Sequence, residues 1–205
     1  MSQDPQLFTG RISDLCDLMW NAQLSLDTYK SISGQAADNH DVIMSALPTL
    51  YYSHASDRLV IDHCRAWTMP ANMHMMTRYI TDRPRIICLS RDIKAVERSY
   101  IDLFRRNGRD DFYGSEYEQE LFRNRAAVQH ARSLPARWVH WVEYDDLVTS
   151  PIDVLDGIYA FLGLKMFQHD LENIVCDFAN SESSSGLVGL HDVRRSVAFR
   201  HQKDR

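Results

Sequence analysis

One polar cluster in this sequence has a spacing that suits the binding of an anion. The apolar run 86–89 ends at Ser90, Arg91 and Asp92, a helical pattern follows at once, and Ser99 lies two turns along it. A helix that begins near Asp92 turns free N–H groups and the positive end of its dipole toward the strand end. The guanidinium of Arg91 adds planar donors that match a phosphate. The cluster predicts a site for a compact anion.

The local charge favours the same interpretation. The chain has 23 Lys and Arg against 28 Asp and Glu, a formal charge of -5, yet residues 83–109 hold eight basic and three acidic side chains. The bulk charge argues against a surface that binds nucleic acid throughout. On spacing alone an alternative stays open, because strand ends are often polar. In that alternative Arg91 pairs with Asp92 or another carboxylate, and Ser99 only packs on its helix.

A second polar cluster, Asp62, His63 and Arg65, follows the apolar run 59–61. In an open parallel sheet, ligands bind beyond the carboxyl ends of the strands. The position of this cluster therefore makes it a second candidate site. His63 taken alone is a weak indication, since a single histidine is more often a hydrogen-bonded structural residue than a base.

Strands and helices alternate along the chain, which predicts the α/β class with parallel pairing and right-handed crossovers. Strands are predicted at 59–61, 86–89 and 138–142. Helices are predicted from residue 13, at 42–52, 70–79, 92–107, 116–132 and 151–162. Pro48 is expected to kink or divide the second helix. We expect one domain of residues 1–205, with a mobile loop at 181–190.

The ends of the last helix are the clearest in the sequence. Ser150 is predicted to cap it, Pro151 suits its first turn, and Gly163 is expected to stop it.

Cysteine spacing and hydropathy indicate the type of cellular compartment in which the protein is found. The four cysteines lie far apart, with no C-x-x-C pair and no histidine at metal-site spacing, so we expect reduced, mostly buried thiols and no metal. The N-terminus lacks the pattern of a secretory signal, and no apolar run reaches the roughly 18 residues of a membrane span. These patterns predict a soluble, cytoplasmic protein.

Four segments of the chain, in order, resemble the sulfotransferases that use PAPS (3'-phosphoadenosine 5'-phosphosulfate). LSRDIKAVERSYIDLF resembles the segment in which an arginine at a strand end, an Asp and a helical Ser bind the 3'-phosphate; Arg91, Asp92 and Ser99 stand in that register. VEYDDLVTSPIDVLDGIYAFLGL resembles the family's Y-E-D-L segment and its Pro-led helix, with Asp145 where Glu is usual. VIDHCRAW sits where a strand with catalytic polar residues is expected. GLHDVRRSV resembles a basic C-terminal segment of bacterial and phage-type members.

The resemblance implies a fold, a reaction and site residues. The fold is an incomplete P-loop NTPase-like, sulfotransferase-type parallel sheet with flanking helices. The reaction is transfer of a sulfuryl group from PAPS to the hydroxyl or amine of a small-molecule or glycan acceptor, with no metal. The implied phosphate ligands are Arg91 and Ser99, with Arg194 and Arg195 as further candidates. The implied catalytic residues are His63 or Asp62 as base and Arg65, which would position the acceptor or the phosphosulfate.

The family also opens with a strand and a P-R-S-G-S/T-T/S turn that binds the 5'-phosphosulfate through backbone N–H groups. This sequence has no such stretch, and neither TGRIS nor SISGQ follows an apolar strand. TGRISDLCDLMWN instead resembles the segment just after the family's first helix. We therefore expect an N-terminally truncated chain that binds the nucleotide weakly and transfers little or no sulfuryl group alone.

Other functions stay open at this stage. A non-catalytic protein could bind a nucleotide 3'-phosphate through the retained half of the site. A nucleotide kinase is disfavoured because the sequence has no G-x-x-x-x-G-K-[ST] motif. Contact between the basic helix and nucleic acid is a minor alternative, since acidic residues are interleaved in it.

Overall fold

The computed structural model describes residues 3–12, 14–33, 39–175, 186–190 and 196–197. The chain divides into two compact units, Met1–Pro84 and Arg85–Arg205. In each unit two short parallel strands are flanked by helices, which confirms the α/β class. The described strands form two sheets of two strands each.

The first unit contains a strand that the sequence analysis missed. Its elements are β1 (Leu7–Ile12), α1 (Asp14–Ser33), α2 (His40–Tyr51), β2 (Leu59–His63) and α3 (Pro70–Tyr79), with a 3-10 turn at Ser53–Ala55. β1 pairs in parallel with β2, and the register shifts between Thr9 and Ile12. The sequence analysis predicted no strand at these residues, because Thr, Gly and Arg interrupt their apolar pattern; pairing with β2 holds residues 7–12 extended.

The core of the first unit lies between α1, α2 and α3. Met19 and Met44 are fully buried there, packed with Leu15, Trp67 and Met75. Helix α2 is a single segment from His40 to Tyr51 that contains Pro48, so of the two outcomes predicted for Pro48, a kink or a division, the division does not occur. Pro48 still accepts a hydrogen bond from the Tyr52 N–H at 3.2 Å, which closes the last turn.

The second unit follows the predicted order of elements closely. It consists of β3 (Ile86–Ser90), α4 (Ile93–Arg106), α5 (Glu116–Ala131), β4 (Val139–Glu143), α6 (Tyr144–Thr149) and α7 (Pro151–Leu162), with a 3-10 turn at Ala136–Trp138. β3 and β4 pair in parallel without interruption, from Ile86 opposite Val139 to Ser90 opposite Glu143. The short helix α6 is the element of this unit that the sequence analysis missed.

Local signals explain most helix ends in the second unit. The Asp92 side chain caps α4 by accepting from the Ala95 N–H at 2.8 Å. Gly163 ends α7 in the left-handed region, with φ of +70°, as predicted. Ser150 precedes Pro151 as expected, but its side chain makes no capping hydrogen bond, so that part of the prediction is wrong.

The second core includes residues from the region of the predicted mobile loop. Phe104, Phe112 and Leu187 are buried together with Leu103, Tyr117 and Leu121. The Asn107 amide donates to the Val188 carbonyl at 3.1 Å and accepts from the Val188 N–H at 2.8 Å. Residues 181–185 of that loop lie outside the described residues.

Candidate functional site

The carboxyl end of the β3–β4 sheet carries the predicted anion-binding residues. Ser90 and Glu143 are register partners at the last position of the two strands. Arg91 follows Ser90 at the end of β3, and Tyr144 follows Glu143 at the end of β4. The Arg91 guanidinium carbon lies 4.2 Å from the centre of the Tyr144 ring. Two adjacent strand ends therefore place the arginine on an aromatic support, an arrangement that is favourable for a cation.

Arg91 keeps its hydrogen-bonding capacity. Among the residues that the structure describes, none accepts a hydrogen bond from the Arg91 guanidinium and none forms an ion pair with it. The alternative in which Arg91 pairs with Asp92 or another carboxylate is not found among the described residues, and the Asp92 carboxylate accepts from the Ala95 N–H. Contact with a ring face uses no N–H donor, so the guanidinium can still bind a phosphate.

The N-terminus of α4 contributes less to an anion site than the sequence predicts. Asp92 occupies the capping position, and its carboxylate and carbonyl accept from the N–H groups of Ala95 and Val96. The negative charge of Asp92 lies at the positive end of the helix dipole, so it reduces the attraction of the helix N-terminus for a bound anion. The arginine is therefore the main attraction for an anion at this strand end.

Ser99 is exposed on α4, seven residues after Asp92. At 100° per residue these two positions lie on nearly the same side of the helix, about 10 Å apart along its axis. The hydroxyl is thus on the face of α4 that begins at the strand end, as the sequence predicts.

In the first unit, Asp62 is the centre of a half-buried hydrogen-bond network. Its Oδ1 accepts from the Tyr52 hydroxyl at 2.8 Å and from the Leu15 N–H at 3.3 Å. Its Oδ2 accepts from the Trp67 indole N–H at 2.6 Å. Burial, reinforced by the bond to Asp62, raises the pKa of the Tyr52 phenol, so this group stays a donor. The carboxylate ties α1, the residue after α2 and the loop after β2 together.

His63 and Arg65 have a different setting from Asp62, since both are exposed at the carboxyl end of β2. His63 is the last residue of the strand and is the register partner of Ile12 in β1. The structure thus places Asp62 inward and His63 outward, as alternation along a strand requires. Arg194 and Arg195 lie outside the described residues.

The sequence analysis missed two residues that contact the candidate site residues, Tyr144 beside Arg91 and Tyr52 beside Asp62. Tyr144 directly follows a predicted strand, so its position parallel to Arg91 could have been inferred from parallel pairing in register. Tyr52 carries no comparable signal, because its contact with Asp62 depends on the packing of α2 against the β1–β2 sheet.

Neither a cluster of metal ligands nor a membrane span is found in the described part of the chain. Within the described ranges, no group of three or more His, Cys, Asp or Glu side chains could hold a metal ion. No helix in the same part of the chain is long and apolar enough to cross a membrane.

Comparison with known proteins places the chain in a family. The model of the sulfotransferase family matches residues 25–169, well over half of the chain. A solved structure, the "Sulfotransferase Domain from the Curacin Biosynthetic Pathway", aligns with a TM-score of 0.53 over 82% of this chain and 71% of that chain, at 16% identity. At that identity the likeness shows the fold alone. A search of the curated proteins finds no match. The matched region spans both polar clusters, and the chain belongs to the sulfotransferase family.

Proposed function

We propose that this chain moves a sulfuryl group from PAPS to the hydroxyl or amine of a small-molecule or glycan acceptor. Membership of the sulfotransferase family supports sulfuryl transfer in general. The observation that carries the proposal is the position of Arg91, held 4.2 Å from the Tyr144 ring centre at a strand end, with no carboxylate of the described residues paired to it.

Nucleotide binding is assigned to the second unit. Arg91 would bind the 3'-phosphate of PAPS through its guanidinium, and Ser99 would add a hydroxyl donor. The Tyr144 ring supports the guanidinium, and the Asp92 cap fixes the backbone between β3 and α4. When bound, PAPS supplies the activated sulfuryl group. The residues described at this strand end fit the phosphate, because an unpaired guanidinium is the ordinary protein ligand for it.

Proton transfer is assigned to the first unit. An acceptor hydroxyl or amine must lose a proton as it is sulfated, and a positioned base speeds that loss. His63 is the stronger of the two candidates, because its imidazole is exposed whereas both oxygens of Asp62 already accept hydrogen bonds. Arg65, two residues after His63, would position an anionic part of the acceptor or the phosphosulfate.

Titration with adenosine 3',5'-bisphosphate tests the nucleotide assignment. We expect Arg91→Ala to weaken binding about 10- to 100-fold, as the loss of a charged hydrogen bond of roughly 1.5–3 kcal/mol implies. Ser99→Ala should have a smaller effect. Arg123→Ala is the matched control, because Arg123 is exposed on α5 and carries the same charge. Unchanged affinity for Arg91→Ala would show that the phosphate site lies elsewhere.

Formation of adenosine 3',5'-bisphosphate from PAPS, measured with a mixed set of alcohols, phenols, amines and glycans, tests the reaction. We expect His63→Ala to lower kcat by about 10²- to 10⁴-fold without changing nucleotide affinity. The control is His74→Ala, an exposed histidine on α3 of the same unit. Binding without turnover would support the alternative of a non-catalytic nucleotide-binding protein.

A further inference from the structure

The first unit brings together two cysteines that are 48 positions apart in the sequence. Cys16 is the third residue of α1 and is 3% exposed, in the core with Leu15 and Met19. Cys64 follows the last residue of β2, is half-buried and packs against the same core. The side chain of Cys64 interacts with the Cys16 thiol, and neither cysteine forms a disulfide.

The segments that carry these thiols are held together by a second contact. The Leu15 N–H, next to Cys16, donates to Asp62 Oδ1 at 3.3 Å, two residues before Cys64. A backbone N–H next to Cys16 is therefore bonded to the side chain two residues before Cys64, and this bond holds the two segments together.

The two sulfurs differ in accessibility and in their hydrogen bonds. Cys64 Sγ accepts from the Ala66 N–H at 3.3 Å, a bond that stabilises negative charge on this sulfur, and it is the more exposed of the two. The bond to Cys64, followed by burial, raises the pKa of the Cys16 thiol. A reagent in solution should therefore meet Cys64 first, and Cys16 should react only with a partner already attached to Cys64.

We propose that Cys16 and Cys64 are a reversible thiol–disulfide site that exchanges with a low-molecular-weight disulfide such as oxidised glutathione. The Cys64 thiolate attacks one sulfur of the small disulfide, breaks its S–S bond and releases one thiolate. Cys16 then attacks Cys64 Sγ and releases the second. The two protons of the cysteines end on the two small thiols, the cysteines are oxidised to a disulfide, and the small disulfide is reduced to two thiols.

The bond would link α1 covalently to the loop after β2. Because it closes a long loop of the unfolded chain, it should raise the melting temperature by on the order of 10 °C. It would also join Cys16 to the residue between His63 and Arg65. The disulfide itself does not depend on the proposed function, so either can fail without the other.

Equilibration of the full chain in glutathione buffers of increasing oxidised fraction tests the site. Free thiols are then alkylated and the disulfide-linked peptides are identified by mass spectrometry without reduction. We expect Cys16 and Cys64 to lose reactivity together, to appear in one linked peptide pair and to recover on reduction. The oxidised chain should melt at the higher temperature.

Three variants separate the proposed bond from other oxidation. Cys64→Ser should abolish both the linked pair and the increase in melting temperature. A Cys16→Ser variant should stop at a glutathione adduct on Cys64. The double variant Cys88→Ser, Cys176→Ser is the matched control and should form the linked pair as the parent chain does. The proposal is overturned if the parent chain forms only a glutathione adduct on Cys64, if both thiols stay alkylatable in the most oxidising buffer, or if the double variant loses the bond.

Discussion

The hydroxyl of Tyr52 donates a 2.8 Å hydrogen bond to Oδ1 of Asp62. The same carboxylate accepts from the Trp67 indole and from the Leu15 backbone, so its oxygens join three segments of the first unit. Tyr52 and Trp67 are buried, so removing the carboxylate takes the acceptor away from two buried donors. A residue singled out as a candidate base thus has a structural role that can be measured separately from catalysis.

Asp62→Ala should lower the free energy of unfolding by about 2–5 kcal/mol, because it leaves buried donors without an acceptor. Asp62→Asn should lower the free energy of unfolding by less, because the asparagine keeps one carbonyl oxygen that can accept a hydrogen bond. Denaturation in urea measures both. Asp57→Ala is the control, because the Asp57 side chain is 85% exposed, and it should change the free energy of unfolding by less than about 0.5 kcal/mol. Unchanged stability of Asp62→Ala, with activity lost, would show that the carboxylate acts in catalysis.

Gly10→Ala should destabilise the first unit through a direct collision with Tyr52. A Cβ atom at Gly10 would lie 2.3 Å from the Tyr52 hydroxyl oxygen. We expect a loss of about 1–3 kcal/mol in the free energy of unfolding, typical of overpacking.

Gly10→Ala should lower the free energy of unfolding by less in a Tyr52→Phe background, because that substitution removes the hydroxyl oxygen with which the new Cβ atom collides. A double-mutant cycle measures this difference. Gly157→Ala is the control, because its Cβ would meet the His140 ring only at 3.4 Å. If the losses of unfolding free energy caused by Gly10→Ala and Tyr52→Phe are strictly additive, the collision is relieved in another way.

Acid should weaken the contact between α2 and α3 through Asp41. Its carboxylate accepts hydrogen bonds from Arg78 at 2.7 Å and from Tyr79 at 3.0 Å, and it lies 3.2 Å from His40 Nδ1. The Arg78 bond, followed by those of His40 and Tyr79, lowers the pKa of Asp41 from 3.8 to about 2. Because the folded-state pKa is the lower one, this stabilisation is complete above the unfolded pKa and disappears as the pH falls toward 2.

Unfolding measured across pH should show this effect against Asp41→Asn. The stability difference between the parent chain and the variant should be constant near neutral pH and should shrink below about pH 4, as the carboxyl group takes up its proton. The Asp27 carboxylate lies 4.0 Å from His40 Nε2, so it is a second carboxylate near the imidazole that contacts Asp41. A difference that is unchanged at low pH would mean that the Asp41 contacts do not require its charge.

Tyr144→Leu should weaken binding of adenosine 3',5'-bisphosphate about two- to fivefold, if the proposed nucleotide site is correct. The leucine keeps apolar contact with Arg91 but removes the ring face, a loss of about 0.5–1 kcal/mol for a cation–π pair that is partly open to solvent. Calorimetric titration measures the change. Tyr144→Phe keeps the ring and should bind like the parent chain. An equal loss in both variants would assign the effect to the tyrosine hydroxyl instead of the ring.

Much of the second unit could be predicted because its signals are local. Pro151 and Gly163 bound one helix, and Asp92 and Asn107 bound another, through bonds within a few residues of each end. The strands at 86–89 and 138–142 are short apolar runs between polar residues, and the structure confirms both within one residue at each end. The pairing of Arg91 with Tyr144 follows once these strands are placed in register.

The first unit was harder to predict because its key contacts are distant in sequence. Strand β1 has no alternating apolar pattern and is extended because β2 pairs with it. Pro48 lies within one continuous helix, since packing against the core compensates for the lost backbone bond.

Residue types and local order by themselves determined the α/β class, the parallel pairing, the resemblance to PAPS-dependent sulfotransferases and the candidate roles of Arg91, Ser99 and His63. Only the tertiary structure decided that Asp62 accepts hydrogen bonds from Tyr52 and from the Leu15 backbone, and that the side chain of Cys64 lies beside Cys16. The physical reason is the range of the interactions. Propensity and capping act over a few residues and are therefore determined by local sequence, whereas each of these contacts joins residues at least 10 positions apart and exists only when the chain is packed.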